Sequence, residues 1–260
     1  MKLCVAQTDI VWQNKTENMS HCQCMIRSAA EQGAELIVFP ELSLTGFSMN
    51  ADLSEESDGE TVRFFEQCSR EYGTAVVFGY ACRAAGRIFN RLCVADNGAV
   101  IAEYDKLHPF SCGGENSVYS AGDRLVSARV RGIELGLTVC YDLRFPEIYQ
   151  KLSDSCSLIV VSANWPDSRR KHWSTLLRAR AIETQTYIAG CNRCGKGDGL
   201  DYSGDSAVIS PNGDAIASAE MYEQQLIYAE IDAGVCSAAR KDFPVRNDRR
   251  QQLYRDFYVG

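Results

Sequence analysis

Three stretches of the sequence place a chemically versatile side chain directly after an apolar run and before a glycine or proline. They are IVFPELSLTGF (37–47), AEYDKLHPF (102–110) and LTVCYDLRFPE (137–147), and they offer Glu41, Lys106 and Cys140. Each has a plain reading alone: Glu41 as a helix cap or solvated turn residue, Lys106 as a surface charge, Cys140 as a buried inert thiol. Together they supply a base, a cation and a nucleophile, which is the complement acyl transfer requires. A thiol with a pKa near ~8.5 needs a neighbouring base or cation to react at neutral pH. The three residues should therefore meet at the ends of strands, where loops of α/β proteins gather ligands without disturbing the core.

The surrounding pattern supplies such strands. KLCVAQTDI (2–10), ELIVFP (35–40) and TAVVFGY (74–80) read as buried strands, and 88–104 reads as a hairpin turning at Asn97-Gly98. Helices are predicted from Ser20 to Gln32, with Cys24, Met25, Ser28 and Ala29 on one face, and from Thr61 to Tyr72. The second half repeats the rhythm. Strands 124–140 flank Arg131-Gly132, Glu147 to Leu152 forms a short helix, and 157–164 is another strand. Arg169 to Gln185 is predicted as the longest helix, with Trp173, Leu176, Leu177, Arg180 and Ile182 in its pattern. Strands in YIAGCN, DSAVISPNGDAIASA and QLIYAEID follow, with a turn at Pro211-Asn212-Gly213. No linker interrupts the chain, so one α/β domain over 1–260 is expected, two similar βαβ halves being the other arrangement the rhythm permits.

The three segments resemble the signature blocks of the nitrilase superfamily, the carbon–nitrogen hydrolases, with their Glu-Lys-Cys triad. They stand in the family's order, 65 and 34 residues apart. The resemblance continues through VVSANWP (160–166), the segment 172–195, YSGDSAVISPNG (202–213) and FPVRNDRRQQLY (243–254), and so spans nearly the whole chain. It implies a four-layer α-β-β-α sandwich. It also implies that Cys140 attacks a carbonyl carbon, Glu41 moves protons, and Lys106 with the Tyr141 backbone N–H holds the oxyanion. Glu115, nine residues beyond Lys106, matches a second glutamate that orients the lysine; its plain reading is a loop carboxylate beside Gly113-Gly114. The implied chemistry uses an amide, water and no metal or organic cofactor. The CYDLRFPE block, without the CWE pattern of nitrilases, speaks against nitrile hydrolysis.

Within the superfamily, TGFSM (45–49), CYDLRFPE, SANWP and DRRQQLY resemble the bacterial ω-amidases, which cleave the terminal amide of α-keto acids such as 2-oxoglutaramate. A substrate with a carboxylate at its far end needs a cation, and Arg144 is the candidate, set against a structural ion pair with Asp142 or Glu147. Asn164 and Trp165 are expected to line the pocket, Trp165 equally reading as core. Other amides, deaminated glutathione and N-carbamoyl compounds are the alternative substrates. A thiol-based redox or metal-binding scaffold is the non-enzymatic alternative.

Composition narrows the class. Twelve cysteines against three histidines, scattered along a chain of 260 residues without an apparent export signal, suggest reduced thiols in the cytoplasm. Cys22 and Cys24 read as packing thiols, and Cys191/Cys194 form a CxxC without a partner motif for zinc. The RRKHW cluster (169–173) offers charge that could attract anions and is read first as a solvated first helical turn. A net charge of −7 argues against nucleic-acid binding, and no apolar run reaches the ~20 residues of a membrane span. The resemblance further implies a homodimer or a larger assembly of dimers.

Overall fold

The structure, a computed structural model, describes residues 1–259, with side chains through Phe257. The first half contains β1 (Lys2–Gln7), α1 (Lys15–Glu31), β2 (Leu36–Val38), β3 (Glu55–Glu56), α2 (Glu60–Tyr72), β4 (Ala75–Ala84), β5 (Arg87–Asp96) and β6 (Ala99–Asp105). The second contains β7 (Ser127–Val130), β8 (Ile133–Val139), α3 (Pro146–Leu152), β9 (Leu158–Ala163), α4 (Arg170–Thr184) and β10 (Tyr187–Asn192). It continues with β11 (Cys194–Gly197), β12 (Leu200–Ser203), β13 (Ala207–Ile209), β14 (Ala215–Ser218), β15 (Gln225–Glu230), α5 (Ala233–Asp242) and α6 (Gln251–Val259).

Two sheets result, ordered β15-β1-β2-β4-β5-β6 and β14-β13-β10-β9-β8-β7, with β3 beside β4 and β11-β12 as a separate hairpin. Period-two burial decides how they stack. On β1, Leu3 and Val5 face the second sheet while Cys4 and Ala6 face α1 and α2. The first set joins Leu135, Leu137, Val160 and Ala189 in one apolar core between the sheets. The outer face of the second sheet is covered by α3 and α4 through Tyr149, Leu152, Trp173 and Leu177. The fold is therefore the four-layer α-β-β-α sandwich that the family resemblance implied. Strands buried on both faces explain the near-continuous apolar runs.

Turn chemistry sets the hairpins. Asn97 and Gly98 both have positive φ (51° and 83°), as a two-residue turn between β5 and β6 demands. A further hairpin, not anticipated from sequence, joins β4 to β5 at Ala85-Gly86 (φ 49° and 73°). Its cue was weak, because alanine gives no sign of a left-handed turn.

Three helix expectations need correction. α1 is the longest helix at 17 residues, against 15 for α4, because it starts at Lys15, capped by Asn14, five residues before the predicted start. Its buried stripe is Asn18, Cys22, Met25, Ile26 and Ala29, leaving Cys24 and Ser28 on the solvent side. Cys24, two residues from Cys22, must point to the opposite face of a 3.6-residue helix. On α4, Ile182 is 55% exposed and Ala181 takes the inward position. α5, α6 and the β11-β12 hairpin were not predicted.

All twelve cysteines are free thiols, nine of them buried. Burial pushes Cys4 and Cys68 up to about 12, and Cys156 and Cys194 to about 11. A folded-state pKa above the unfolded ~8.5 gives stability that is complete below ~8.5 and lost as pH rises towards the folded value, at about 1.4 kcal/mol per thiol per pH unit. Urea unfolding midpoints should therefore fall between about pH 8 and about pH 10. Equal midpoints at the two pH values would refute the thiol contribution.

Candidate active site

Parallel order places the chemistry at one end of the sandwich. β2 and β6 of the first sheet end just before Glu41 and Lys106, and β8 and β9 of the second end just before Cys140 and Asn164. Chain reversal at these ends exposes one side chain per loop to the cleft between sheets.

Glu41 is fully buried, and its carboxylate is held at both oxygens. Oε1 accepts from Lys106 Nζ at 2.8 Å and from Asn90 Nδ2 at 2.7 Å, and Oε2 accepts from the Asn164 N–H at 2.9 Å. Asn164 Nδ2 also donates to the Glu41 carbonyl at 2.6 Å, so this asparagine fixes both backbone and carboxylate. Glu115, equally buried, accepts from Lys106 Nζ at 2.8 and 3.1 Å, from Asn90 Nδ2 at 2.8 Å and from the Phe110 N–H at 2.6 Å. Burial alone would depress the Lys106 ammonium, but the Glu41 and Glu115 carboxylates outweigh it and hold its pKa above the ordinary lysine value.

Cys140 follows β8 with φ of 46°, a left-handed conformation uncommon for a side chain with a Cβ. It opens a short 3-10 helix, Cys140–Arg144, whose last turn is tied to α4 by Arg180, which donates twice to the Leu143 carbonyl at 3.0 and 2.8 Å. The residue touches the cleft, while its sulfur lies in the protein interior. Burial first, and then the Glu41 charge, push the thiol well above its usual range despite Lys106. Cys140 is thus a neutral thiol at rest.

A cavity of about 140 Å³ opens over Cys140 and Lys106. Its walls include Phe47, Phe110, Tyr141, Trp165 and Tyr202, with Arg144 and Arg169 as cations. Arg144 lies 4.8 Å from the Trp165 ring and 5.9 Å from that of Tyr141, and its Nη2 contacts His172 Nδ1 at 3.1 Å. Trp165 fulfils both readings offered for it: it lines the cavity and packs against Trp173 at 5.6 Å.

All the candidate residues converge at this end. Glu41, Lys106 and Glu115 form one ion-pair cluster, with Cys140, Tyr141, Arg144, Asn164 and Trp165 around the cavity above it. Two plain readings need correction. Glu41 and Glu115 are not solvated loop carboxylates, and Arg144 makes no ion pair with Asp142, which is committed to Tyr104 and His108. The RRKHW cluster is only partly a solvated turn, since Arg169 lines the cavity and Arg170 pairs with Asp205 at 2.8 Å. Cys191 donates to the Ala6 and Val38 carbonyls inside the core, and Cys194 opens β11. No group of three His, Cys, Asp or Glu among the described residues could hold a metal, and no helix is long and apolar enough to cross a membrane.

Asn90 was missed. Its only sequence cue is an amide in the inward register of an apolar hairpin, IFNRLCVAD. The Asp198–Leu200 tip of the β11-β12 hairpin, which borders the cavity, carried no cue of its own, and Arg169 was visible only within the basic RRKHW cluster.

Comparison with known proteins shows the family and the fold. The carbon-nitrogen hydrolase family model matches residues 2–241. The chain is 34% identical to the ω-amidase YafV of Escherichia coli (strain K12) over 249 residues, covering 95% of this chain and 96% of that protein. It is 32% identical to the 2-oxoglutaramate amidase of Bacillus subtilis (strain 168) over 253 residues, covering 95% and 97%. Its fold superposes with a TM-score of 0.91 on a CN-hydrolase superfamily protein of Xanthomonas campestris carrying an arsenic adduct in its active site. That protein is 32% identical, with 96% of this chain and 97% of that one covered.

A buried ammonium between two buried carboxylates cannot be removed quietly. Lys106→Met leaves two negative charges with one lost partner and is expected to cost about 3–5 kcal/mol at neutral pH. The raised pKa means that the wild-type contribution is complete below the ordinary lysine value of ~10.4 and fades only at higher pH. Urea denaturation near pH 7 checks this, and an unchanged midpoint would contradict the charge balance described.

Proposed function

The chain belongs to the carbon–nitrogen hydrolase family and hydrolyses amide C–N bonds; from that premise we propose that it is an ω-amidase acting through a Cys140 thioester. Its substrate is the terminal amide of a small α-keto acid such as 2-oxoglutaramate, and its products are the dicarboxylate and ammonia. The observation that carries the reading is the Glu41–Lys106–Glu115 cluster directly beneath a small cavity that holds Cys140 at its floor and Arg144 in its wall. The relatives' names, ω-amidase and 2-oxoglutaramate amidase, support the same substrate class.

In this mechanism Cys140 Sγ bonds to the amide carbon as Glu41 takes the thiol proton. Because the resting group is a neutral thiol, proton removal must accompany attack, and a fixed carboxylate base is the device that permits it. The carbonyl electron pair moves onto oxygen, held by the Lys106 ammonium and the Tyr141 N–H. Tyr141 is the second residue of the 3-10 helix, where an N–H has no partner within the helix. Collapse breaks the C–N bond, and the nitrogen leaves as ammonia with the proton from Glu41. Glu41 then deprotonates water, which attacks the thioester, and the proton returns to sulfur. Glu115 and Asn90 keep Lys106 and Glu41 in place, and Arg144 receives the far carboxylate.

The reading treats 1–260 as one domain, supported by the apolar core shared between the sheets. It places the enzyme in the cytoplasm, where a reactive thiol is not readily oxidised. We also propose a homodimer; Ile182, Phe243 and Phe257, exposed at 55%, 69% and 69%, supply apolar surface for it. A stable monomer by mass measurement would overturn that assignment.

Ammonia release from 2-oxoglutaramate, set beside simple aliphatic amides, deaminated glutathione and N-carbamoyl compounds, tests the substrate. The α-keto amide is expected to have the highest kcat/KM, and a better rate on any other class would replace it. Cys140→Ala should abolish turnover. Arg144→Met should raise KM about 10- to 150-fold, the ~1.5–3 kcal/mol of a charge-assisted hydrogen bond, with kcat little changed. An unchanged KM would remove Arg144 from substrate binding.

A further inference from the structure

Lys106 and Cys140 come from different sheets, and apart from the Asn164–Glu41 bonds most of what joins the layers is non-directional apolar packing. Such packing does not by itself fix the two strand ends to the tolerance chemistry requires. One polar tie does cross between them. Asp142, two residues after Cys140 and fully buried, accepts four hydrogen bonds. Oδ1 takes the His108 N–H at 3.1 Å and His108 Nδ1 at 2.8 Å; Oδ2 takes the Tyr104 hydroxyl at 2.7 Å and the Val139 N–H at 3.0 Å. Tyr104 and His108 stand two residues to either side of Lys106, and Val139 immediately precedes Cys140. The His108 ring also stacks on Phe145, at the end of the Cys140 helix, with centroids 3.7 Å apart and planes at 12°.

We propose that His108 is a positioning residue: through Asp142 and Phe145 it registers the Lys106 segment against the Cys140 segment, and so sets the oxyanion-binding lysine relative to the nucleophile. The proposal rests on the amidase reading for its consequence in turnover, though not for its geometry. Facing a carboxylate, Nδ1 must carry a proton. It does so in the neutral Nδ1–H tautomer and in the charged ring alike, so the role needs a donor and not a charge. It follows that an amide can replace the imidazole and an aromatic hydrocarbon cannot.

His108→Phe keeps the stack on Phe145 and loses the donor, whereas His108→Asn loses the stack and keeps an N–H near Asp142. The Phe variant is expected to lose ~10–100-fold in kcat, with KM within about 3-fold. The Asn variant should recover most of the rate. The second readout is alkylation of Cys140 by iodoacetamide, resolved by peptide mass spectrometry with exposed Cys24 and Cys112 as internal references. It should slow in the Phe variant and recover in the Asn variant while the reference sites stay unchanged. Wild-type kcat and alkylation in the Phe variant would overturn the proposal, as would an Asn variant no better than Phe or a loss confined to KM. Should neither variant fold, Tyr104→Phe removes the companion donor and must show the same kcat-selective loss. A wild-type protein inactive on every amide would sink the amidase reading, while the alkylation comparison would still decide the role of His108.

Discussion

The site depends on a charge balance struck among side chains buried away from bulk water. One ammonium lies within 2.8 Å of each of two carboxylates, all three side chains being at most 1% exposed. An isolated ion there would cost several kcal/mol, and each is tolerable only because its partners and remaining lone pairs are met. Asn90 completes the arrangement by donating from one amide nitrogen to both glutamates, which keeps the like charges apart without neutralising either. The same balance adds to what burial does to the thiol. Burial disfavours a charge on Cys140 first, and two carboxylates against one cation nearby make a third negative charge more unfavourable still, so sulfur holds its proton tightly.

A cluster of this kind restricts the fold that can carry it. Its members must leave the chain at separate strand ends and converge under a cover that excludes solvent. Two mixed sheets stacked face to face do this, because the carboxyl ends of their parallel strands, β1-β2-β4 and β8-β9-β10, lie side by side while the apolar core begins directly behind them. Asn164 is the seam: from the end of β9 in one sheet it donates to both the backbone and the side chain of Glu41, which follows β2 in the other.

Much of this was legible in the residues. Glu41, Lys106 and Cys140 announced themselves because each breaks an apolar run at a turn, whereas Glu115 was found only through the family resemblance. The layers came from the family resemblance, with which the near-continuous apolar strands are compatible. What stayed hidden were relations between distant segments. Asn90 sits mid-strand and gains meaning only when Glu41 and Glu115 arrive from 49 and 25 residues away. The inward stripe of α1 was misread by placing Cys24 inside, because helical spacing fixes which residues share a face but not which face meets the sheet. The status of Glu41 as buried rather than solvated could not be read from Pro40 and Gly46 around it.

Arg144 shows how one of these hidden relations decides another. Sequence spacing offered it Asp142 or Glu147 as partners, which would have made it a structural ion. Asp142 instead spends its four acceptor positions on Tyr104, His108 and Val139, so it has none left for a guanidinium two residues away. Arg144 is left against the Trp165 and Tyr141 rings and one histidine nitrogen. Aromatic faces hold a guanidinium in place without neutralising it, so its charge and most of its donors remain for an anion in the cavity. Arg169, over the Phe110 ring at 5.3 Å, is placed by the same kind of contact on the same cavity. The carboxylate that bonds to both the Lys106 and the Cys140 segments is therefore also the reason the cavity presents an unspent positive charge.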